Sequence, residues 1–184
     1  ITAYISTFGK SMANGMPISA IAGNKKIMSK MNEIFFSSTF GGEALSLVAS
    51  IETINKIQRT DAINKMKKTG TKLILGLNDI INKSFLKGAF IFVGPDWWPR
   101  LNIVDSKIDI TLFKSLLRQE LNAAGLIINA TLNLSLSHTE VNIIQETLTR
   151  FKIAIDKLSE HIQIKDPQKA LKGDLMKPTF SVRT

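Results

Sequence analysis

Apolar residues recur at steps of three and four along much of the chain, and this spacing constrains the fold more than any other feature of the sequence. Because an α-helix turns once in about 3.6 residues, such spacing predicts amphipathic helices. The predicted helices cover residues 43–58, a segment from Thr60 or Asp61 to 81, 109–124 and 140–161. Shorter apolar stretches predict strands at 89–93, 101–104, 126–128 and 132–136. The alternation of the two patterns predicts an α/β fold.

Local signals mark the ends of two helices and one close contact. Gly125 follows the third helix and is typical of a C-terminal stop. Ser137 and Glu140 have the spacing of a capping box for the last helix, with Thr139 as an alternative N-cap. Gly70 lies within the apolar stripe of the second helix, where glycine costs about 1 kcal/mol relative to alanine. We therefore expect Gly70 to pack closely against a neighbouring element.

The patterns divide the chain into three parts. Residues 1–59 are typical of the end of a larger α/β domain, residues 60–85 of a linking helix, and residues 86–184 of a small α+β domain. The chain opens at Ile1 without an initiator methionine or an apolar signal core, and runs directly into ordered patterning. We expect such a start to be processed or truncated.

The composition excludes several classes of protein. Apolar residues make up 44% of the 184 residues, which is enough for a hydrophobic core and excludes a disordered polyelectrolyte. Cysteine is absent, which excludes disulfides and a cysteine nucleophile, and the two histidines argue against a transition-metal enzyme. No apolar run approaches the roughly 18 residues that a membrane span requires. We therefore expect a cytoplasmic protein without a membrane segment or a metal ion.

The net charge of +9 raises one alternative, a basic nucleic-acid-binding module. The 24 Lys and Arg residues, however, are spread over many predicted helices. They form neither a single arginine stripe nor a basic patch with interleaved aromatic residues. The distribution of charge therefore favours a protein that does not bind nucleic acid.

A segment rich in glycine and other small residues surrounds Lys10. Gly9 precedes the lysine, and Gly15 and Gly23 follow it. Such residues keep bulky side chains away and let the backbone approach a bound group. Partial desolvation would lower the pKa of the ammonium group, and a neutral amine forms an imine with an aldehyde. The alternative is an ordinary solvated lysine.

The segment Phe35-Phe-Ser-Ser-Thr39-Phe-Gly-Gly42 directly precedes the first predicted helix. Hydroxyl groups and glycines before a helix predict an anion site, because unpaired N–H groups and the positive end of the helix dipole face outward there. Alternatively, Thr39 or a neighbouring serine only caps the helix. The spacing leaves both interpretations open.

Taken in order, these segments resemble the class III aminotransferases, which use pyridoxal 5'-phosphate. The resemblance is carried by Phe8-Gly-Lys10, Asn14-Gly-Met-Pro17-Ile-Ser-Ala20 and Thr39-Phe-Gly-Gly42, and is nearest to the glutamate-1-semialdehyde 2,1-aminomutase-like branch. Ser137-His-Thr-Glu140 resembles the family's C-terminal segment, and residues 177–183 resemble the tails of some sugar-locus members. The resemblance implies the C-terminal part of a fold-type-I pyridoxal-phosphate-dependent transferase, with the end of the large α/β domain followed by the small α+β domain.

The resemblance also implies roles for two residues. Lys10 matches the lysine that holds the cofactor as a Schiff base and later moves a proton between substrate and cofactor. Thr39 matches the residue that contacts the cofactor phosphate from the neighbouring subunit, which implies a homodimer. The family's aspartate for the pyridine nitrogen, its ring-stacking aromatic residue and its phosphate loop lie upstream of the part that this chain matches. We therefore expect residues 1–184 alone to have little or no activity, in contrast to the full-length parent.

Several alternatives remain open at this stage. Thr39-Phe-Gly-Gly-Glu43 departs from the aminomutase pattern, so amino transfer between a small-molecule donor and acceptor is at least as well supported as the aminomutase reaction. A truncated or degenerate homologue acting as a structural subunit is a second interpretation. Arg100 is either a surface residue or a ligand for a substrate carboxylate. Trp97 and Trp98 indicate a core or interface position, and His138 a local hydrogen bond.

Overall fold

The computed structural model describes residues 3–177, and the chain divides into two compact units, Ile1–Ala62 and Ile63–Thr184. The resemblance of the tail, over 177–183, lies outside the described residues except for Lys177. The division into 1–59, 60–85 and 86–184 remains a prediction. The first unit contains the antiparallel strands β1 (Ile5–Phe8) and β2 (Ala20–Gly23), the short helix α1 (Lys25–Met28) and the long helix α2 (Ala44–Arg59).

Helix α2 confirms the helix predicted over 43–58, but the face that it buries is not the apolar one. Its buried residues are Ser46 and Ser50. The apolar stripe is exposed at Leu47, Val48, Ile51, Ile54 and Ile57. The reason is that α2 packs against a 3₁₀ turn at Lys10–Ala13, whose buried residue is Ala13. Small side chains on both elements allow close approach, and no residue of the described first unit covers the apolar stripe.

The described residues of the second unit form three α-helices, of which the first begins at Ala62 in the first unit, and a two-stranded sheet. Helix α3 (Ala62–Asn82) is followed by strands β3 (Phe90–Val93) and β4 (Arg100–Ile103), then by helices α4 (Ile110–Ala123) and α5 (Val141–Gln163). These elements confirm the helices predicted after Thr60 and over 109–124 and 140–161, and the strands predicted around 89–93 and 101–104. The strands are antiparallel, with Phe90 opposite Ile103 and Phe92 opposite Leu101.

The core of the second unit lies between the sheet and the helices. Helices α4 and α5 pack together, and α3 contributes Leu73, Leu77 and Ile81 to the same apolar cluster. Phenylalanine rings meet edge to face across the core. The ring centroids of Phe90 and Phe113 are 5.7 Å apart, and those of Phe92 and Phe151 are 5.9 Å apart. Such pairs contribute about 0.5–1.5 kcal/mol beyond the burial of their surface.

The side chain of Asn78 fastens α3 to strand β3. Its Nδ2 donates to the Phe92 carbonyl at 3.0 Å, and its Oδ1 accepts from the Phe92 N–H at 2.8 Å. Both main-chain polar groups of a buried strand residue are therefore paired with one amide side chain, as burial requires. This contact fixes the position of α3 along the strand.

The strands predicted at 126–128 and 132–136 are wrong. The segment runs beside 97–101, and the N–H groups of Leu101 and Leu132 donate across to Ala130 and Pro99 at 2.8 Å. Only an isolated bridge forms, between Arg100 and Thr131. Pro99 has no N–H to donate, and the Trp98 N–H is taken by the Pro95 carbonyl at 2.9 Å. A regular ladder is interrupted because these two donors are missing.

The predicted capping box is also wrong in its position. The box forms between Ser135 and His138, at the start of a 3₁₀ turn at Leu136–Thr139. Glu140 precedes α5 without a side-chain cap, and the Thr139 hydroxyl donates to the Leu136 carbonyl at 2.7 Å. The intervening 3₁₀ turn shifts the reciprocal hydrogen bonds two residues towards the N-terminus. The stop at Gly125 is confirmed by its φ of +79°, which suits glycine.

Candidate cofactor site

Lys10 lies in the loop that joins the two strands of the first unit. Phe8, the last residue of β1, pairs with Ala20 of β2. Gly9 then continues in extended conformation, and the Met12 N–H donates to the Gly9 carbonyl at 3.1 Å. The lysine is thus the first residue of the 3₁₀ turn, held at a defined position by the hairpin on one side and α2 on the other.

The backbone of Lys10 is in the left-handed region, with a φ of +50°. This conformation costs a residue with a Cβ roughly 1–2 kcal/mol. The turn ends with two further positive φ angles, at Asn14 and Gly15. Asparagine and glycine adopt such angles readily, whereas lysine does not. Strained residues of this kind cluster at functional sites, which distinguishes Lys10 from the other lysines of this unit.

The side chain of Lys10 is exposed and has no ion-pair partner within residues 3–177. The desolvated environment expected from the sequence is therefore not formed by these residues. The glycines and other small residues around Lys10, from which a desolvated amine was expected, have too little side-chain volume to cover it. A Cβ placed on Gly15 would contact nothing within 4 Å, so this side of the turn is open. Exclusion of water from the amine would need further protein atoms.

Thr39 lies in a turn before α2 and does not cap the helix. The turn is closed by the Gly41 N–H, which donates to the Ser38 carbonyl at 3.1 Å. The Thr39 side chain is exposed, and its hydroxyl has no hydrogen-bond partner in the described part of the chain. The interpretation in which Thr39 is the cap is therefore wrong. Its contact with a phosphate stays a prediction.

Glu43 is the residue that caps α2. Its carboxylate accepts the Leu45 N–H at 2.8 Å and the Ser46 N–H at 2.7 Å. The Ser46 side chain, followed by the Ser46 and Leu45 N–H groups, holds the pKa of the Glu43 carboxyl below its usual range. The buried Ser46 hydroxyl oxygen has no hydrogen-bond partner within the described residues. The N–H groups expected to bind an anion are thus already paired with a carboxylate.

The chemistry of the two predicted residues fits pyridoxal phosphate. Lys10 offers a primary amine without a counter-ion, and the Thr39 hydroxyl is a free donor. The Thr39 and Gly42 N–H groups also lack a main-chain acceptor within the described residues. A phosphate at this turn would use these groups rather than the start of α2. Sequence reasoning missed Glu43, whose signal was a carboxylate immediately before the first apolar residue of a helix.

The other residues singled out from the sequence lie in the second unit. Arg100 is exposed at the start of β4, as its surface interpretation expects. Trp97 and Trp98 are each 52% exposed, so the core interpretation is wrong for both. His138 confirms the local hydrogen bond, because its Nδ1 accepts the Ser135 N–H at 3.0 Å. Trp97 and Trp98 belong to the turn between the strands, Arg100 to β4, and His138 to the connection before α5.

Two further observations concern membranes and metals. Within residues 3–177, no helix has both the length and the apolar character to cross a membrane. The same residues bring together no group of three His, Cys, Asp or Glu side chains suited to a metal ion.

Comparisons with curated proteins show what this chain is similar to. The 3-aminobutyryl-CoA aminotransferase of Cloacimonas acidaminovorans (strain Evry) is 31% identical over 117 residues, which are 63% of this chain and 27% of that protein. The glutamate-1-semialdehyde 2,1-aminomutase of Haloarcula marismortui is 32% identical over 106 residues, which are 50% of this chain and 24% of that protein. The chain thus spans about a quarter of the length of these relatives.

Solved structures show the fold. The FumI protein of Sphingopyxis sp. MTA144, in its PLP internal aldimine form, matches 91% of this chain with a TM-score of 0.75 and 23% identity, over 40% of its own length. An omega-transaminase from Sphaerobacter thermophilus matches 86% of this chain with a TM-score of 0.74 and 16% identity, over 39% of its length. The predicted fold class, part of a fold-type-I transferase, is confirmed.

The family model for class III aminotransferases matches residues 1–93, which include Lys10, Thr39 and the whole of the first unit. This match covers half of the chain and agrees with the family that the motifs around both residues resemble. The chain belongs to the class III aminotransferase family.

Proposed function

We propose that this chain is part of a pyridoxal-phosphate-dependent enzyme of amino-group transfer in which Lys10 binds the cofactor. The observation that carries the proposal is the left-handed backbone of Lys10 in the hairpin loop, within the region that the family model matches. A backbone conformation that is unfavourable for lysine is retained where the position of its amine matters.

The chemistry proposed for Lys10 is that of a nucleophile and a proton carrier. Its Nζ would hold the cofactor at the aldehyde carbon, because a neutral amine is a nucleophile for an aldehyde. When bound, the cofactor supplies the electron sink that amino transfer requires. The amine of Lys10 would also serve as the base and acid that moves the proton at the substrate Cα.

Thr39 is proposed to bind the phosphate in the site of a second copy of the chain. Its unpaired hydroxyl and N–H face solvent in the single chain, where an anion from outside can reach them. Hydrogen bonds to a charged phosphate are stronger than those between neutral groups. Two copies would then form each site, so the proposed enzyme is a homodimer.

The first unit gives a physical reason to propose a longer working enzyme. Among its described residues, the buried apolar ones are only Ala13 and Ala62. The apolar stripe of α2 faces solvent, at an energetic cost of roughly 25 cal/mol for each Å² left uncovered. We propose that additional protein, corresponding to the upstream part of the relatives, covers this stripe and excludes water from Lys10.

The donor and acceptor are small molecules, and relatives of both the aminotransferase and aminomutase kinds support amino-group transfer as the reaction class.

Reductive trapping tests the proposal in the longer form that includes upstream residues. The protein is incubated with pyridoxal phosphate, reduced with borohydride and mapped by peptide mass spectrometry. We expect the pyridoxyl group on Lys10, and its loss together with the visible imine absorbance in the variant Lys10→Ala. Lys25→Ala is the matched control, because Lys25 is an exposed lysine of the same unit without an ion pair in the described residues. Absorbance that persists in Lys10→Ala would contradict the assignment, and equal labelling of many lysines would favour the structural-subunit interpretation.

A further inference from the structure

The second unit contains an apolar cavity of about 440 Å³. None of the residues that line it belongs to the motifs around Lys10. One wall is a single face of the sheet, formed by Phe90 and Phe92 of β3 and their neighbours Leu101 and Ile103 of β4. The volume lies within the usual range for small-molecule sites, about 300–1,000 Å³. The cavity is therefore large enough for a small organic ligand.

A second wall is one face of α4. The residues that line the cavity recur at steps of three and four along the helix: Ile110, Lys114, Leu117, Arg118 and Leu121. Leu117 and Leu121 are buried, whereas Lys114 and Arg118 are exposed. The helix therefore presents an apolar floor with two cations at the mouth.

The remaining edge of the cavity is held in place by hydrogen bonds. The Ala130 carbonyl accepts the Leu101 N–H at 2.8 Å, which ties the segment 128–130 to β4. The Met176 N–H donates to the Ser115 hydroxyl at 2.9 Å, which ties the last lining residue to α4. These contacts hold the cavity open between fixed elements.

The charges at the mouth indicate the class of ligand. Lys114 and Arg118 have no ion-pair partner within residues 3–177, and no carboxylate lines the cavity. Like charges four residues apart on a helix repel each other, and an anion between them would relieve this repulsion. An arginine beside a lysine is also a good partner for a carboxylate.

We propose that this cavity binds an amphipathic monocarboxylate, with its apolar chain between the sheet and the apolar face of α4 and its carboxylate between Lys114 and Arg118. The site is separate from the one proposed for Lys10, and no bond is made or broken in it. It would make the second unit sensitive to acyl or aryl acids.

Binding of octanoate, with octan-1-ol as its neutral counterpart, tests this proposal in the 184-residue chain. The readout is the methyl signal of Met176 in protein labelled with ¹³C at the methionine methyls, since Met176 is one of six methionines and lines the cavity. We expect octanoate to shift this signal and to bind about fivefold more tightly than octan-1-ol, because exposed ion pairs contribute modestly.

Three variants separate the proposal from non-specific apolar binding. The double variant Lys114→Gln/Arg118→Gln is expected to bind both compounds equally. Lys68→Gln/Lys72→Gln is the matched control, an exposed pair with the same spacing on α3 that does not line the cavity, and it is expected to retain the preference. Ala130→Leu narrows the cavity at its remaining edge and should weaken the binding of both compounds. Absence of binding, an unchanged Met176 signal, or an equal loss of preference in the control pair would overturn the proposal.

Discussion

Gly70 of helix α3 lies directly against the carbonyl oxygen of Asp96, in the turn between β3 and β4. A Cβ placed on Gly70 would overlap this main-chain oxygen and would also come within 2.8 Å of the Leu134 Cδ1. The sequence predicted such a contact from a glycine in the middle of an apolar stripe, and that prediction is confirmed. The helix accepts the glycine because the turn passes where a side chain would be.

Gly70→Ala is expected to destabilise the chain, although alanine is ordinarily the better helix residue by about 1 kcal/mol. The added methyl group must displace main-chain atoms, and overpacking of this kind costs about 1–3 kcal/mol. Gly76→Ala on the same helix is the control. The atoms nearest to its Cβ would be those of the Leu148 side chain, which can move, and not main-chain atoms. Urea unfolding monitored by circular dichroism measures both, and an equal or smaller loss for Gly70→Ala would contradict the expectation.

Asn78→Ala is expected to lower the free energy of unfolding by about 1–3 kcal/mol, because two hydrogen bonds to Phe92 are lost and main-chain groups in the core are left unpaired. Asn78→Asp should be at least as damaging, since a carboxylate cannot donate to the Phe92 carbonyl. Asn82→Ala, at an exposed position at the end of the same helix, is the control and should change stability little. Thermal unfolding of the three variants provides the comparison.

Glu43 is expected to make the start of α2 sensitive to pH. Its pKa is lowered in the folded chain, so the carboxylate stabilises the helix above the unfolded-state pKa, and this stabilisation is lost as the pH falls through the lower folded-state value. Hydrogen exchange of the Leu45 and Ser46 N–H groups should therefore accelerate, beyond its intrinsic dependence on pH, as the solution is acidified. Glu43→Gln should remove the effect, and Glu52→Gln, at an exposed position on the same helix, should not. An unchanged profile in Glu43→Gln would show that another group is responsible.

Residues 1–184 alone are expected to show no amino transfer above the rate of free pyridoxal phosphate. The physical reason is the exposure of Lys10, because a solvated amine has no advantage over the other exposed lysines in reacting with the cofactor and is not oriented towards a substrate. A coupled assay with alanine as the amino donor, in which the pyruvate formed is detected, measures the rate of amino transfer. Activity in this chain that disappears in Lys10→Ala and persists in Lys25→Ala would show that the site is complete without further protein.

The fold was predictable where a local pattern and its packing agree. The long stripes of α3, α4 and α5 carry enough apolar residues on one face to define a helix whatever it packs against. The prediction of strands within 126–136 was wrong because the local pattern and the packing disagree there. Its alternation of apolar and polar residues is typical of a strand, but a strand needs hydrogen-bond donors on the neighbouring segment. In that segment Pro99 has no N–H, and the main-chain N–H of Trp98 already donates within the turn. Pairing depends on a distant segment and is invisible in the local pattern.

The candidate site was only partly predictable. The order of motifs identified the family and placed Lys10 and Thr39 in one unit, but their surroundings depend on which residues cover them. Glu43 took the role predicted for a hydroxyl, since a carboxylate directly before the helix reaches two N–H groups at once. The unusual φ of Lys10 had no signal in the residue type itself.

By itself the sequence determined which segments are helical, that Gly70 must lie against a neighbour, and to which family the chain belongs. Those properties depend on residue spacing and order, which are local and can be read along the chain. Only the tertiary structure decided that α2 buries its serines, that Lys10 stands exposed in a left-handed turn, and that two cations border an apolar cavity beside the sheet. Burial and pairing are properties of atoms brought together from distant segments, so the order of residues does not reveal them.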